Sequence, residues 1–254
     1  MDLLLLGILA FFAGFVDAIV GGGGLIQLPA LFGLYPGVAP ASLLGTNKLA
    51  SIAGTAVAAM RYVRRVSLPW RLLAPAIVAA LLFSFLGARA VAWLPRDAVR
   101  PLVLVLLVAV AGYTLLRKDF GAVHAPRRSQ RSTWWLGLAT GAVLGFYDGF
   151  FGPGTGAFLM FVYVRLFGWD LLRAGAAARV VNVATNLTAL GFFAATGNVL
   201  WRSGLVMVAC NIVGSVAGSE LAFKRGTRFV RAMFLAVLTV LIAKFAWDTL
   251  AGWR

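Results

Sequence analysis

Ionisable residues inside apolar stretches are where this chain could do chemistry, because a charge in hydrocarbon is costly and by default marks a function. Asp17 and Asp148 stand in that position, each followed by a glycine-rich stretch: Gly21-Gly22-Gly23-Gly24 after the first, Gly152-Pro153-Gly154-Thr155-Gly156 after the second. Glycine lets a chain leave the helix and lets a ligand approach the backbone closely. Where a helix restarts beyond such a break, its unpaired N–H groups and positive dipole end face whatever sits there. Two breaks meeting near the membrane midplane would make a site for a small anion on the backbone of 21–24 and 152–156. Small residues also serve close helix packing, but four consecutive glycines exceed what packing needs. Non-helical backbone at that depth survives only against protein or a water-filled cavity. The aspartates carry two readings: a carboxylate that takes up a coupling proton, or a cap accepting N–H bonds from the glycine turn.

Two longer apolar runs add a polar face each. Asn47, Ser51 and Thr55 recur at helical spacing, with Thr46 and Lys48 adjoining, and Asn182 and Asn186 recur in the other with Arg179 one turn earlier. Interhelical hydrogen bonds explain Asn and Thr well enough, but a lysine in a long apolar run less well. Lys48 either complements an anion or pairs with Asp17. Val183 stands where a second lysine would match Lys48, so Asp17 is expected to be the coupling carboxylate and Asp148 the cap. Thr46, Asn47, Lys48, Arg179, Asn182 and Asn186 thus join the glycines as the candidate anion-binding set. One histidine, His124, and one cysteine, Cys210, cannot assemble a zinc or haem site. No metal, cofactor or disulfide is expected, and no nucleophile set suggests an enzyme.

The elements that must position these residues are membrane helices. Of 254 residues, 61% are hydrophobic and 12% charged, against about a quarter charged in a soluble domain. The apolar content runs through the whole chain, which excludes both disorder and a soluble domain with one anchor. A net charge of +15 would suggest nucleic acid in a soluble protein; here it follows from basic cytoplasmic loops, and no nucleic-acid partner is expected. A spanning helix needs about 20 mostly apolar residues. Runs of that kind lie at 3–20, 41–62, 70–93, 98–116, 134–151, 174–197, 201–223 and 228–250, with shorter runs at 24–35 and 155–168 after the glycine breaks. The most polar stretch, 117–133, is expected to be a cytoplasmic linker between a first transmembrane repeat, 1–116, and a second, 134–254.

The halves repeat. Gly14-Phe15-Val16-Asp17 matches Gly145-Phe146-Tyr147-Asp148, the glycine clusters fall opposite one another, and Trp70-Arg71 and Gly87 match Trp201-Arg202 and Gly218 at one constant offset. Asn47 matches Asn182 after a small insertion. About five helical elements per half, an odd number, would invert the second half in the membrane. The basic loops agree: Arg61, Arg64, Arg65 and Arg71 crowd one loop whose counterpart has only Arg202, while Lys224, Arg225, Arg228 and Arg231 crowd another. Under the positive-inside rule, 61–71, 117–133, 165–173 and 224–231 are cytoplasmic and both termini periplasmic. Arg89 and Glu220, at equivalent places, are expected to snorkel. The fold is therefore expected to be an all-α polytopic membrane protein of two inverted repeats with glycine-broken short helices at the midplane.

Residues 14–24 (GFVDAIVGGGG) followed by Gly45-Thr46-Asn47-Lys48-Leu49, and residues 145–156 followed by Arg179-Val180-Val181-Asn182-Val183-Ala184-Thr185-Asn186, resemble the double signature of the TauE/SafE sulfite exporter family. The resemblance implies a bacterial inner-membrane protein that moves sulfite, an organosulfonate or a related small anion. Joined to the residue reading, it describes a secondary transporter working by alternating access in the lipid bilayer, with a proton or sodium ion for coupling and a homo-oligomer allowed. An anion channel sharing the same site is the nearest rival reading, and a membrane subunit of a larger complex a more distant one.

Overall fold

The computed structural model describes residues 2–91 and 130–251. The apolar run at 98–116, residues 117–129 of the linker with His124, and 252–254 lie outside the described residues. Within them the chain is all-helical, with eight helices: α1 (Asp2–Val20), α2 (Gly24–Leu34), α3 (Pro40–Val63), α4 (Trp70–Ala90), α5 (Gln130–Phe150), α6 (Thr155–Phe167), α7 (Leu171–Ala195) and α8 (Trp201–Ala251). Glycine punctuates them. α1 and α2, and α5 and α6, are parted only by the glycine breaks, and α8 is interrupted at Gly226, whose φ of 67° separates the two apolar runs expected there.

Pro40 opens α3, where its missing N–H costs nothing. Asp170 caps α7, its carboxylate accepting the Arg173 N–H at 2.9 Å, which starts the helix ahead of its apolar run. α5 likewise begins at Gln130, inside the stretch expected to be linker. α2 has 11 residues and α6 has 13, about 16 and 20 Å at 1.5 Å per residue, too short to cross a bilayer core of about 30 Å.

Leu3–Val20, Trp70–Ala90 and Trp201–Val237 are long and apolar enough to cross a membrane by length and composition. Large apolar side chains such as Leu4, Val78, Val143 and Leu205 face outward, while Asp17, Asn47, Lys48, Asp148, Arg179 and Asn186 are buried. Polar inside and apolar outside is the arrangement that a lipid solvent imposes.

The first helix of each half packs on the fourth of the other, α1 on α8 and α5 on α4. Small residues let the backbones touch. Gly141, Gly145 and Gly149 recur every fourth residue of α5, and a Cβ on each would lie 2.8–2.9 Å from the Cα of Ala76, Ala80 or Ser84. Gly214 and Gly218 bring α8 equally close to the backbone of Phe11 and Phe15 of α1, the small-residue spacing that membrane helices use. The main apolar core draws on both halves, with Ile19 and Val20 of α1 and Tyr62 of α3 against Leu159 and Tyr163 of α6 and Val181 of α7.

Polar contacts mark the two ends of the bundle. At one, Arg61 of α3 and Arg65 just beyond its end reach Glu220 of α8, the first in a short hydrogen-bonded pair and the second at 3.6 Å, and Arg173 donates to Ser67 at 3.4 Å. Glu220 is thus an ion-pair partner rather than a snorkelling side chain. At the other end, Tyr35 and Ser203 share a hydrogen bond at 2.9 Å and Ser42 donates to Asn198 at 3.2 Å.

Candidate functional site

Each half delivers an aspartate to the end of a long helix and then leaves the helix through glycine. At the first break, Gly21 takes a φ of +80°, and its N–H donates to the Asp17 carbonyl at 2.8 Å. The chain turns back so that the Gly23 N–H donates to Asp17 Oδ1 at 3.1 Å. Asp17 Oδ2 accepts from Thr55 Oγ1 of α3 at 2.9 Å. Asp17 therefore caps the glycine turn.

The cation beside it is Arg179. Its Nη2 donates to the carbonyls of Asp17, at 3.1 Å, and Ala18, and its Nη1 to Gly175 at 2.6 Å. The guanidinium lies 4.1 Å over the Tyr62 ring, whose hydroxyl donates to the Ala18 carbonyl at 3.1 Å. A buried guanidinium thus closes the negative end of α1.

Lys48 pairs with Asp148, not Asp17. The Lys48 Nζ to Asp148 Oδ2 distance is 2.8 Å, with the two side chains 2% and 3% exposed. Of the two partners left open for Lys48 by the sequence, an anion or Asp17, the second is thereby excluded in this structure. Lys48 and Thr55 are seven residues apart on α3 and share a face, so one helix meets both aspartates about 10 Å apart and presents the hydroxyl to Asp17 and the ammonium to Asp148. Nor is Asp148 the cap of its own turn. There the Gly152 N–H donates to the Tyr147 carbonyl at 3.1 Å, the Tyr147 hydroxyl to Pro153 O at 2.6 Å and Thr155 Oγ1 to Gly152 O at 2.8 Å. Tyr147 and Thr155 hold the turn, which leaves the carboxylate to the lysine. Each half's third helix therefore supplies the cation at the other half's break.

The two breaks touch. The Ala157 N–H donates to Gly21 O at 3.0 Å, and a Cβ on Gly21 would stand 2.6 Å from the Gly156 Cα. A Cβ on Gly24 would reach Pro153 Cα at 3.6 Å, with Asn47 Nδ2 and Gly152 O both at 3.9 Å. Gly21–Gly24, Asn47, Lys48, Asp17, Asp148, Gly152–Gly156 and Arg179 are thereby gathered in one place. Thr46 is not, because neighbours on a helix point about 100° apart; its hydroxyl donates to Ser42 O and accepts the Leu200 N–H at 2.9 Å. Asn182 and Asn186 bond to one another along α7 at 3.1 Å, with no hydrogen bond to either break.

Besides Asp148 Oδ2, which meets Lys48 as an ion pair without a well-aligned hydrogen bond, and Arg179 Nε, two amide side chains at the junction have unmet polar atoms. Asn47, 3% exposed, leaves Oδ1 without a partner among the described residues, and Gln27, 1% exposed, leaves Nε2 so. Gln27 escaped the sequence reading. Its signal was a single amide in the otherwise apolar α2 (GLIQLPALFGL).

Replacing Asp17 by alanine is expected to cost about 2–3 kcal/mol, since a buried N–H and a buried hydroxyl lose their charged acceptor together. Asparagine keeps one acceptor and is expected to lose less. Thermal unfolding of the detergent-solubilised variants reads this directly. Equal melting temperatures for Asp17→Ala and the unmodified protein would remove the capping role.

The family model described as "Sulfite exporter TauE/SafE" matches residues 6–245. The chain is 36% identical over 251 residues to the "Probable membrane transporter protein YfcA" of Escherichia coli (strain K12), covering 97% of this chain and 91% of that one. It is 35% identical over 254 residues to a "Probable membrane transporter protein" of Haemophilus influenzae, covering 100% and 97%. A third relative, "Probable membrane transporter protein ORF9" of a Sinorhizobium species, is 35% identical over 246 residues, covering 97% and 93%. No solved structure gives a significant match.

Proposed function

The chain belongs to the sulfite exporter TauE/SafE family, and from that premise we propose that it is a secondary transporter moving a small anion, sulfite or an organosulfonate, by alternating access. As a membrane transporter it is not an enzyme. The observation that carries the proposal is the Lys48–Asp148 pair, buried where the two glycine breaks meet. A lone ion pair in that setting is a poor stabiliser but a good exchange point. An anion arriving at the half-helix ends competes with Asp148 for the Lys48 ammonium. The displaced carboxylate then takes up a proton, so one anion and one proton enter the occluded state together and no charge stays uncompensated. The charged and titratable groups facing Asp148 are Lys48 from α3 and Tyr147 from its own helix, with Asp17, held by Arg179, across the break.

An inverted repeat supports the rocking step. The exchange of partners between α1–α8 and α5–α4, and the placing of the 61–71 and 196–203 loops at opposite ends of the bundle, favour that reading. It puts both termini in the periplasm. A reporter active only in the cytoplasm and fused after Arg254 is expected to stay dark, and a bright signal would overturn the inversion.

Uptake of radiolabelled sulfite and methanesulfonate by the full-length protein in liposomes tests the function itself. Saturable uptake of either that responds to a proton gradient is expected. Unsaturable flux with single-channel currents would make the protein a channel instead.

A further inference from the structure

Resting on that reading, we propose that Gln27 determines the specificity of the site: its amide N–H, together with the Asn47 amide, binds an oxygen of the transported anion and so selects oxyanions over halides.

Gln27 lies one turn into α2, on the face shared with Gly24. Asn47 and Ser51, also one turn apart, are on the α3 face that meets it. Ser51 Oγ donates to Gln27 Oε1 at 3.0 Å. That bond fixes the amide: its oxygen is satisfied by α3, and the unpartnered end is the donor. Asn47 stands beside Gly24, within reach of the second break, with its Nδ2 on the Gly24 side and its Oδ1 the atom left without a partner among the described residues.

Buried polar atoms nearly always have partners. The unmet buried donor of Gln27, at the restart of a half-helix and facing the Asn47 side chain, is the pattern of a site that completes its hydrogen bonds with a ligand. An Asn or Gln amide offers two N–H groups and can turn about its last torsion to present them. Directed amide donors suit the oxygens of a sulfite or sulfonate head, whereas a halide offers no such fixed positions.

The two halves differ here. Phe158 occupies the place matching Gln27 and packs edge-on against Tyr147 at 5.7 Å between centroids. Sequence duplication therefore does not account for the glutamine.

The test uses the purified full-length protein, with sulfite, methanesulfonate and chloride as probes. Gln27→Met keeps the length of the side chain and deletes the amide, its donor and the oxygen that accepts from Ser51 together. Its dissociation constant for the oxyanion that the unmodified protein binds is expected to rise about 10-fold or more, the scale of one hydrogen bond to a charged group. Competition by chloride against labelled oxyanion uptake is expected to strengthen. The ligand-free melting temperature should change little, since an unmet N–H goes together with the acceptor of the part-buried Ser51 hydroxyl; a purely structural glutamine would lower it and leave oxyanion affinity unchanged.

Ser51→Ala provides a second variant, which frees the Gln27 amide to turn and is expected to weaken oxyanion binding by a smaller factor. An unchanged dissociation constant in Gln27→Met overturns the proposal and leaves the transporter reading standing. Should Gln27→Met not fold, oxyanion affinity and chloride competition unchanged in Ser51→Ala overturn it. Failure of the unmodified protein to bind either oxyanion overturns both readings.

Discussion

Replacing Lys48 by methionine is expected to cost about 3–5 kcal/mol of stability, because it strands the Asp148 carboxylate as a buried charge without its cation. The two side chains are 2% and 3% exposed and 2.8 Å apart, so water does not reach them to compensate. Adding Asp148→Asn to Lys48→Met is expected to recover most of that loss, since replacing both members of a buried pair by neutral groups is often close to neutral. Anion flux in liposomes is not expected to return with it, because the proposed cycle needs the ammonium as the anion's partner. Asp148→Asn alone keeps the ammonium and removes the carboxylate that the proposed cycle uses to exchange a proton. Anion exchange is then expected to persist while the response to a proton gradient disappears. Gradient-driven flux at the unmodified level in Asp148→Asn, or normal flux in the double variant, would take the pair out of the transport cycle and leave it a structural clamp.

The second large effect separates two uses of glycine within one tract. At Gly21 an alanine meets both a φ of +80° and the backbone of Gly156, 2.6 Å from where its Cβ would stand. The left-handed conformation costs a non-glycine residue about 1–2 kcal/mol, and overpacking typically adds 1–3. Gly21→Ala is therefore expected to lose roughly 2–5 kcal/mol, by the sum of those ranges, and to express poorly. At Gly24 the nearest atom is 3.6 Å away, so alanine is expected to fold with little change in melting temperature. Its methyl group, however, would sit between Asn47 Nδ2 and Gly152 O, where an anion would approach the second break. Gly24→Ala is expected to melt like the unmodified protein and to bind sulfite or methanesulfonate at least about 10-fold more weakly, the scale of one lost hydrogen bond to a charged group. Calorimetric binding beside thermal unfolding distinguishes the cases, and a Gly24→Ala protein with unchanged affinity would mean that the tract serves packing alone.

Much of this architecture is legible in the chain because lipid leaves so few choices. Apolar runs and glycine punctuation place the helices within a few residues: 24–35 against Gly24–Leu34, 155–168 against Thr155–Phe167, 41–62 against Pro40–Val63. The boundaries differ where a cap or a first turn lies outside the apolar run, as Asp170 does for α7. The break residues are legible too, because four glycines beside an intramembrane aspartate have few other uses. What linear order does not carry is which way a side chain points after folding. Lys48 stands in the same half as Asp17 and pairs with the other half's aspartate, since the breaks cross and α3 passes both. Thr46 adjoins Asn47 in sequence but faces the start of α8. Gln27 was overlooked because one amide in a short apolar helix is unremarkable until its neighbours show that it is buried and half-bonded.

The crossing of cations between the halves sets an order of events during synthesis. Lys48 is made 100 residues before Asp148, an interval of roughly 5–20 s at about 5–20 residues per second. Until then the first half carries an ammonium with no carboxylate to receive it, while Asp17 lacks the arginine that will close its helix. The first half on its own is thus an unfinished object, with a charge that must be sheltered by water, lipid headgroups or the insertion machinery. Arrival of the second half neutralises Lys48 with Asp148 and delivers Arg179 to α1. Assembly of the two halves and closing of the junction between the glycine breaks are consequently the same event, and on the proposed reading a nascent chain has no transport-competent form before its second half is in the bilayer.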